Sequence, residues 1–297
     1  MATAHPILCQ TAAEWREEVR ERNLQGKSLA VSPNNLQSGS RVTEEQFLLF
    51  RTLFPPTREC FDANLFGLSV EYQQAGVLLL GSADFQAYLQ RISGGATSLS
   101  QWHQDTLFKV PLAQQQQAFL SGGSKLTRRS ESVVNASIIS YLQALSMVAT
   151  PISGEWSANR IPLEADFGSG RKFTAVTDGQ LQEVTTKHIL ALVECKRDER
   201  LRHSPQVEFQ ETAQMVAWIR EFPDAAPRPW TDPNYTFASL NTAEAGKVIS
   251  MELLFFVVIS VVRCIITGSI RRVMPGRLLN STPAQRGAHY LLGTVRN

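Results

Sequence analysis

The segment 189–198 reads ILALVECKRD, an apolar run that passes directly into charged residues. A short apolar run of this kind predicts a buried β-strand. Because side chains alternate between the two faces of a strand, Glu194 and Lys196 are expected on one face and Cys195 on the other. The segment therefore predicts a strand with a buried interior and with a carboxylate and an ammonium at its exposed end.

The residues around this strand predict an α/β domain. Apolar residues at helical spacing in 129–149 predict an amphipathic helix, with Ser130 as a reasonable N-cap. Three segments then have the character of strands: 156–167, 172–184 and 187–197. A second helix is predicted over 205–222, and the apolar segment 251–262 is a candidate for a closing strand. The predicted order is helix, three strands, helix and strand.

The earlier part of the chain predicts helices and loops. Helices are expected over 11–25 and 42–54, the second with Thr43 as N-cap and Gln46 three residues later, which is the capping-box pattern. The region 80–125 is polar, contains a glutamine run and is punctuated by glycine. Such a composition indicates a partly ordered arm that leads into a flexible joint.

These patterns divide the chain into three regions. Residues 1–125 are predicted to form a mostly helical accessory region that is partly disordered. Residues 126–250 are predicted to form the α/β domain. Residues 251–297 are expected to form an apolar strand or helix and then a basic tail.

Composition limits the kinds of partner and compartment. The formal net charge is +2, so binding of nucleic acid would have to rely on local basic patches. Four widely spaced cysteines without a C-x-x-C pair argue against a zinc site or a disulfide scaffold and favour a reducing compartment. The N-terminus lacks a basic start and a long apolar core, so no signal peptide is expected. An intracellular location, nuclear or cytoplasmic, is the resulting prediction.

The strongly apolar segment 251–268 raises the question of a membrane anchor. Arg263 interrupts it before the roughly 20 apolar residues that a spanning helix needs. A charge inside a membrane is also costly. A buried strand is therefore favoured, and a membrane-tethered protein is the weaker alternative.

Acidic residues at strand ends are the main candidates for chemistry. A carboxylate such as Glu194 can bind Mg²⁺, while Lys196 can hold or polarise a water and stabilise developing negative charge. The alternative for this pair is a solvated ion pair worth less than about 1 kcal/mol. Asp178 follows the apolar alternation of FTAVTDG and supplies a second acid at a strand end. Its alternative is a turn aspartate, since Asp-Gly is a strong turn signal.

The two flanking helices add further polar candidates. Glu131 lies near the start of the first helix on the face predicted to pack inward, although an acid there is also favourable to the helix dipole. On the second helix, Gln206, Gln210 and Gln214 form a row. This row is either a solvated polar face or a means for Gln210 to reach the site and hydrogen-bond a water or a phosphate.

Four segments together carry a family resemblance: RSESVVNASIISYLQAL, VTDGQL, LALVECKRD and QETAQMVAWI. Their order resembles the PD-(D/E)xK nuclease superfamily, and more closely a family of fungal PD-(D/E)xK nuclease-like proteins. The resemblance implies a restriction-endonuclease-like core, with a mixed central sheet flanked by helices and a site at one sheet end. It implies that Asp178 and Glu194 bind Mg²⁺ or Mn²⁺ and that Lys196 is the catalytic lysine. Glu131 and Gln210 would be accessory residues.

The chain departs from the family pattern at two places. Thr177 stands where the pattern prefers proline before the first acid. Relatives close the fold with a polar strand, whereas this chain continues into the apolar segment 251–268 and an arginine-rich end. Because the composition changes abruptly, we hypothesise that an altered splice or reading frame produced the last part of the sequence. An uninterrupted, transcript-supported reading frame through 240–297 would exclude that hypothesis.

The resemblance implies DNA as the partner and leaves two functions open. Cations near the predicted site are candidates for phosphate contacts: Arg128, Arg129, Arg197 and Arg200. Their alternative is a solvated loop in which neighbouring acids offset the charge. The favoured function is Mg²⁺-dependent hydrolysis of DNA phosphodiester bonds, since the Asp178, Glu194 and Lys196 set is complete. The alternative is an inactive nuclease fold that serves as a nucleic-acid or protein interaction module. No glycine-rich segment has P-loop spacing, so no small-molecule cofactor is expected.

Overall fold

From residue 131 onward, the described helices and strands follow the predicted order, but the strands are more numerous than expected. The computed structural model describes residues 7–32, 35–54, 63–64, 69–93, 106–120, 131–149, 154–195 and 203–222. The described α-helices are α1 (Ala12–Glu21), α2 (Glu44–Leu49), α3 (Ser69–Gly81), α4 (Ala83–Ser93), α5 (Lys109–Leu120), α6 (Glu131–Val148) and α7 (Gln206–Glu221). The described strands are β1 (Gly154–Ser157), β2 (Pro162–Asp166), β3 (Lys172–Val176), β4 (Gly179–Glu183) and β5 (Ile189–Val193). The described chain is thus a mixed α/β protein whose strands form two small antiparallel sheets.

Four of the five strands belong to one bent hairpin. β1 pairs with β4, and β2 pairs with β3, both antiparallel. At the bend, residues 158–161 lie opposite residues 177–179, so one side has one more residue than the other. The Thr177 amide donates to the Ile161 carbonyl oxygen at 3.1 Å across this break. Extra residues on one side of a ladder bend it, which explains why each predicted strand, 156–167 and 172–184, is divided in two.

The third predicted strand forms β5, which completes a sheet of order β1-β4-β5. Its two faces pack against different hydrophobic cores. Val193 and the following Cys195 are buried in one core, whereas Ile189 and Leu192 pack against the other. Burial on both sides accounts for the continuous apolar run in this part of the sequence.

The predicted mixed central sheet is not observed among the described strands. Every pairing in the described part of the chain is antiparallel. The candidate closing segment 251–262 lies outside the described residues. The finer prediction of a restriction-endonuclease-like core is therefore not confirmed.

The first core lies between α3–α6 and one face of the three-stranded sheet. Its members include the buried aromatic residues Phe85, Tyr88, Phe108 and Trp156. The Tyr88 ring stacks on Phe108 with centroids 5.0 Å apart. Its hydroxyl donates to Gln115 Oε1 at 2.8 Å, and burial raises the pKa of Tyr88 to about 12. This core fixes α6 against the strands that carry the site.

The second core joins the N-terminal helices to the two-stranded sheet and α7. Phe47 of α2 stacks on Phe209 of α7 with centroids 4.2 Å apart. A short 3₁₀ turn at Gly39–Arg41 packs on β3. A Cβ at Gly39 would lie 2.7 Å from the Ala175 Cβ, so only glycine allows this approach. Side chains from both sides of the predicted 125/126 boundary thus fill common cores, and the boundary itself stays a prediction.

The glutamine run belongs to a regular helix rather than to a loosely ordered arm. Residues 114–117 lie in α5, and α4 covers another part of the predicted arm. Leu112 of α5 is buried in the first core, together with Leu142 and Leu145 of α6. Packing of this kind stabilises a helix that polar composition alone does not indicate.

The cap predicted for the second N-terminal helix is confirmed, but its length is not. The Gln46 amide donates to Thr43 Oγ1 at 3.1 Å, and the helix ends at Leu49 rather than at residue 54. The Gln46 side chain does not make the predicted return bond of a capping box. Instead its Nε2 donates to the Gln37 carbonyl oxygen at 3.0 Å and its Oε1 accepts from the Gln37 amide at 2.8 Å.

None of the helices in the described ranges has the length and apolar character required to cross a membrane. The apolar segment 251–268, on which the alternative of a membrane tether rests, lies outside those ranges.

Candidate functional site

Asp178 is anchored to the end of β5 by both its main chain and its side chain. It lies at the bend just before β4, where it is buried. Its amide donates to the Val193 carbonyl oxygen at 3.0 Å. Its Oδ2 accepts from the Cys195 amide at 3.0 Å. A carboxylate that accepts a backbone N–H has a defined orientation, unlike a solvated surface aspartate.

The glycine after Asp178 allows three elements to meet at this point. Gly179 is the first residue of β4, so the Asp-Gly pair does not form the hairpin turn that was the alternative for it. A Cβ at Gly179 would lie 2.7 Å from the Ser157 carbonyl oxygen and 2.9 Å from Ile139 Cδ1. Glycine is therefore required here, because β1 and α6 approach the backbone closely. Close approach of another element is a common reason for glycine within a strand.

Glu194 follows β5 directly and is held from the side of α7. Gly179 pairs with Val193 in the β4–β5 ladder, so the next step of this register places Asp178 opposite Glu194. Glu194 Oε2 accepts from Gln214 Nε2 at 2.6 Å. The same Nε2 donates to the Val176 carbonyl oxygen at 2.8 Å. Gln214 is 2 % exposed, so α7 joins Glu194 to the end of β3 through one buried amide.

Helix α6 reaches the site from the opposite side through Asn135. Its Nδ2 donates to the Asp178 carbonyl oxygen at 2.6 Å. Its Oδ1 accepts a weak bond from Cys195 Sγ at 3.5 Å. The ends of β4 and β5 are thus fastened by side chains from both flanking helices.

One cation lies against the Asp178 carboxylate. Arg160, in the segment between β1 and β2, has its guanidinium nitrogen Nη2 3.4 Å from Asp178 Oδ1. The Arg160 side chain is 64 % exposed, whereas that of Asp178 is 9 % exposed. The pair therefore joins a buried carboxylate to a cation at the solvent boundary.

The accessory residues predicted from the sequence are placed less centrally. Glu131 is the exposed first residue of α6 and lies four residues before Asn135, hence on the same side of the helix. Gln210 is half-buried on α7, one turn before Gln214, and it is Gln214 that contacts Glu194. The remaining predicted residues lie outside the described ranges: Lys196, Arg128, Arg129, Arg197 and Arg200.

Three residues of the site were not predicted in their observed roles. Gln214 could have been found from its place between Ala213 and Ala217, because a glutamine within a small-residue buried face needs a polar partner. Asn135 offers a weaker signal as a polar residue on a helix predicted to be buried. Arg160 offers none, because only the bend in the hairpin brings it to Asp178.

The donor atoms of this site suit Mg²⁺ or Mn²⁺ better than zinc. The carboxylates of Asp178 and Glu194 are hard oxygen ligands, and Mg²⁺ is commonly held by one or two carboxylates while it keeps several waters. Gln180, which follows on the same strand face as Asp178, has a buried Oε1 with no hydrogen-bond partner among the described residues and could accept from a metal-bound water. No cluster of three or more histidine, cysteine, aspartate or glutamate side chains suited to a metal ion occurs within the described residues.

Neither a scan against protein-family models nor searches of curated proteins and of solved structures finds a match for this chain.

Proposed function

We propose that this protein is a Mg²⁺-dependent nuclease that hydrolyses phosphodiester bonds in DNA. Asp178 and Glu194 are the metal ligands, and Lys196 is the catalytic lysine. The observation that carries the proposal is the anchored carboxylate of Asp178, which the strand register places opposite Glu194 at one end of a buried strand pair. A turn aspartate bonds the backbone a few residues away, whereas this bond joins residues 17 positions apart.

The proposed fold is a restriction-endonuclease-like core. In its support, α6 precedes an antiparallel array of strands and α7 follows it, with the acids at the strand ends between the two helices. The bent hairpin would correspond to the first two of the three strands predicted between the helices. A closing strand over 251–262 remains part of the proposal.

The proposed roles follow from the contacts of each residue. A bound Mg²⁺ would supply Lewis-acid activation of the phosphate and of a water molecule. The Cys195 amide and Gln214 hold the Asp178 and Glu194 carboxylates in fixed orientations, which lowers the reorganisation needed when charge develops. Lys196 would stabilise that developing charge.

The outer residues would position the DNA. Glu131, the first residue of α6, and Gln210, in the second turn of α7, are proposed as accessory residues. Phosphate contacts are proposed for four arginines that precede α6 or follow β5 in the sequence: Arg128, Arg129, Arg197 and Arg200. Contacts of this kind fix the position of a duplex without reading its sequence, so little sequence preference is expected.

One observation favours the second function, an inactive nuclease fold that binds DNA or protein. The Asp178 carboxylate already has two partners within the protein, the Cys195 amide and the Arg160 guanidinium. A carboxylate satisfied in this way can be structural. The two functions differ in whether DNA bound by the protein is also cleaved.

Cleavage of DNA by the purified full-length chain tests the proposal. Supercoiled plasmid and linear single-stranded DNA would be incubated with the protein and Mg²⁺, Mn²⁺ or EDTA. We expect metal-dependent cleavage that is lost in Asp178→Asn, Glu194→Gln and Lys196→Ala. Asp178→Asn keeps the shape and an acceptor for the Cys195 amide, so a thermal melt should show that this variant is folded.

A matched control is Glu164→Gln, which removes a carboxylate from β2 outside the site. Its cleavage rate should equal that of the wild type. Cleavage that persists unchanged in Asp178→Asn would show that the proposed site is not responsible. DNA binding without cleavage by the wild type under every metal condition would support the interaction module instead.

A further inference from the structure

We propose that Arg160 is a further phosphate-binding residue of this site, and that it is held on Asp178 until a divalent cation binds there. This inference rests on the proposed nuclease function and names a residue that the sequence motifs do not contain. The observation behind it is a single contact, Arg160 Nη2 to Asp178 Oδ1 at 3.4 Å, in which the carboxylate is buried and the cation is mostly exposed.

The segment that carries Arg160 is fixed at both ends. The Asn159 amide donates to Ser157 Oγ at 3.1 Å. The Ile161 amide lies 3.4 Å from Thr177 Oγ1, and the Ile161 carbonyl oxygen accepts from the Thr177 amide at 3.1 Å. The backbone next to Arg160 is therefore attached to the residue before Asp178. Its long side chain can move while its base remains at the site.

Arg160 and a divalent cation would compete for the Asp178 carboxylate. Arg160 contacts Oδ1 of Asp178, while Oδ2 accepts from the Cys195 amide. A divalent cation bound to Asp178 would repel the guanidinium at close range, because like charges within a few ångströms repel strongly near a protein surface. Arg160 would then leave the carboxylate and face solvent, where the DNA backbone would lie.

The geometry of arginine suits Arg160 to bind a DNA phosphate after it has left Asp178. The guanidinium group presents five N–H donors in a planar fork that matches the oxygens of a phosphate. The 64 % exposure of the Arg160 side chain leaves room for such a partner. One residue would thus neutralise Asp178 in the metal-free protein and bind phosphate in the metal-loaded protein.

Two opposite effects of one substitution test this dual role. In Arg160→Gln, removal of the competing charge should tighten Mn²⁺ binding by about two- to five-fold, the range expected for a part-exposed ion pair. The same variant should bind DNA about five- to ten-fold more weakly, and its slope of log affinity against log salt should fall by about one, as for loss of a single phosphate contact. A residue with a merely structural role would weaken both kinds of binding.

Both affinities would be measured on the full-length chain. Mn²⁺ affinity comes from the electron paramagnetic resonance signal of free Mn²⁺. DNA affinity comes from the fluorescence anisotropy of a labelled 20-base-pair duplex (about two helical turns) in Ca²⁺. Arg160→Lys should recover part of the DNA affinity, because it restores charge without the fork. Arg16→Gln is the matched control, since it removes an exposed arginine from α1, and it should leave Mn²⁺ binding unchanged.

Each result supports or overturns the inference. Unchanged or weaker Mn²⁺ binding in Arg160→Gln would overturn the competition, and DNA affinity equal to that of Arg16→Gln would overturn the phosphate contact. In either case, Mn²⁺ binding by the wild type that depends on Asp178 would leave the nuclease proposal standing. Absence of Mn²⁺ binding by the wild type would overturn both proposals together.

Discussion

Two carboxylate–cation pairs lie on the same bent hairpin, and they differ in ion-pair distance, in burial and in the backbone hydrogen bond to the carboxylate. Glu164 and Lys172 pair at 3.0 Å on the regular β2–β3 ladder, with side chains 47 % and 55 % exposed. Asp178 and Arg160 pair at 3.4 Å at the bend, and the Asp178 side chain is only 9 % exposed. The shorter ion pair, between Glu164 and Lys172, is therefore the one whose carboxylate is more exposed to solvent. The comparison teaches that backbone anchoring, rather than ion-pair distance, distinguishes a built site from a surface contact.

The anchoring at the bend has a local cause. On the regular ladder, the Glu164 carboxylate contacts the exposed Lys172 ammonium, while the Glu164 amide donates to Glu221 Oε2 of α7 at 2.6 Å. Beyond the last β4–β5 pair, the Cys195 amide is turned toward Asp178 and donates to its carboxylate. The break in the hairpin therefore allows a backbone donor to bind the Asp178 carboxylate.

The largest expected difference between the two regions is in DNA cleavage. Asp178→Asn should lower the cleavage rate by at least about 100-fold, as does the loss of one preorganised electrostatic group in other enzymes. Glu164→Gln should leave the rate within about two-fold, because an exposed pair contributes little. Rates from a plasmid-nicking time course at saturating Mg²⁺ provide the test, and equal losses in both variants would remove the distinction.

The close packing at the bend predicts the next largest effect, on stability. Gly179→Ala places a Cβ against the Ser157 carbonyl oxygen and Ile139, and should lower the free energy of unfolding by about 1–3 kcal/mol, as overpacking does. Gly76→Ala in α3 is the control, since its Cβ would meet nothing within 4 Å. That variant should gain about 0.5–1 kcal/mol from helix propensity. Urea unfolding measures both, and a neutral Gly179→Ala would mean that the bend is loosely packed.

The helix that supports Glu194 gives a third prediction. Gln214→Ala removes the donor to both Glu194 and the Val176 carbonyl oxygen and should destabilise the protein by about 1–3 kcal/mol. Gln210→Ala, one turn away and half-buried, should change stability by no more than about 0.5 kcal/mol. The reverse order in urea unfolding would contradict the view that the buried Gln214 amide is the main support of Glu194 from α7.

The smallest effect is expected at the surface pair itself. A double-mutant cycle with Glu164→Ala and Lys172→Ala should give a coupling energy below about 1 kcal/mol. The coupling should fall further in 1 M salt, where the screening length is about 3 Å. A coupling above that bound, insensitive to salt, would contradict the view that this pair is a plain surface contact.

The sequence predicted the elements well where local pattern and packing agree. The β5 strand follows from its apolar run, and the Thr43 cap follows from its spacing. The division of the hairpin was not predictable, because it depends on the mismatch between four residues, 158–161, on one side and three residues, 177–179, on the other. That mismatch exists only once the strands are paired.

The positions of the two acids at strand ends were predicted, and the side chains that hydrogen-bond to them were not. Asp178 and Glu194 stand at strand ends, and strand ends can be read from alternation. The choice of Gln214 over Gln210 depends on the rotation of α7 about its axis, which its packing in the second core decides. The helix over the glutamine run was missed for a related reason, since its stability comes from contact with α6 rather than from its own sequence pattern.

The most direct test of the central claim is the stoichiometry of Mn²⁺ binding to the wild-type chain, Asp178→Asn, Glu194→Gln and Glu164→Gln. Calorimetric titration is predicted to find one ion per chain in the wild type and in Glu164→Gln. It is predicted to find loss of that ion in Asp178→Asn and Glu194→Gln. Equal binding by the wild type and Asp178→Asn, or no binding by the wild type, would contradict the claim that these two carboxylates hold a catalytic cation.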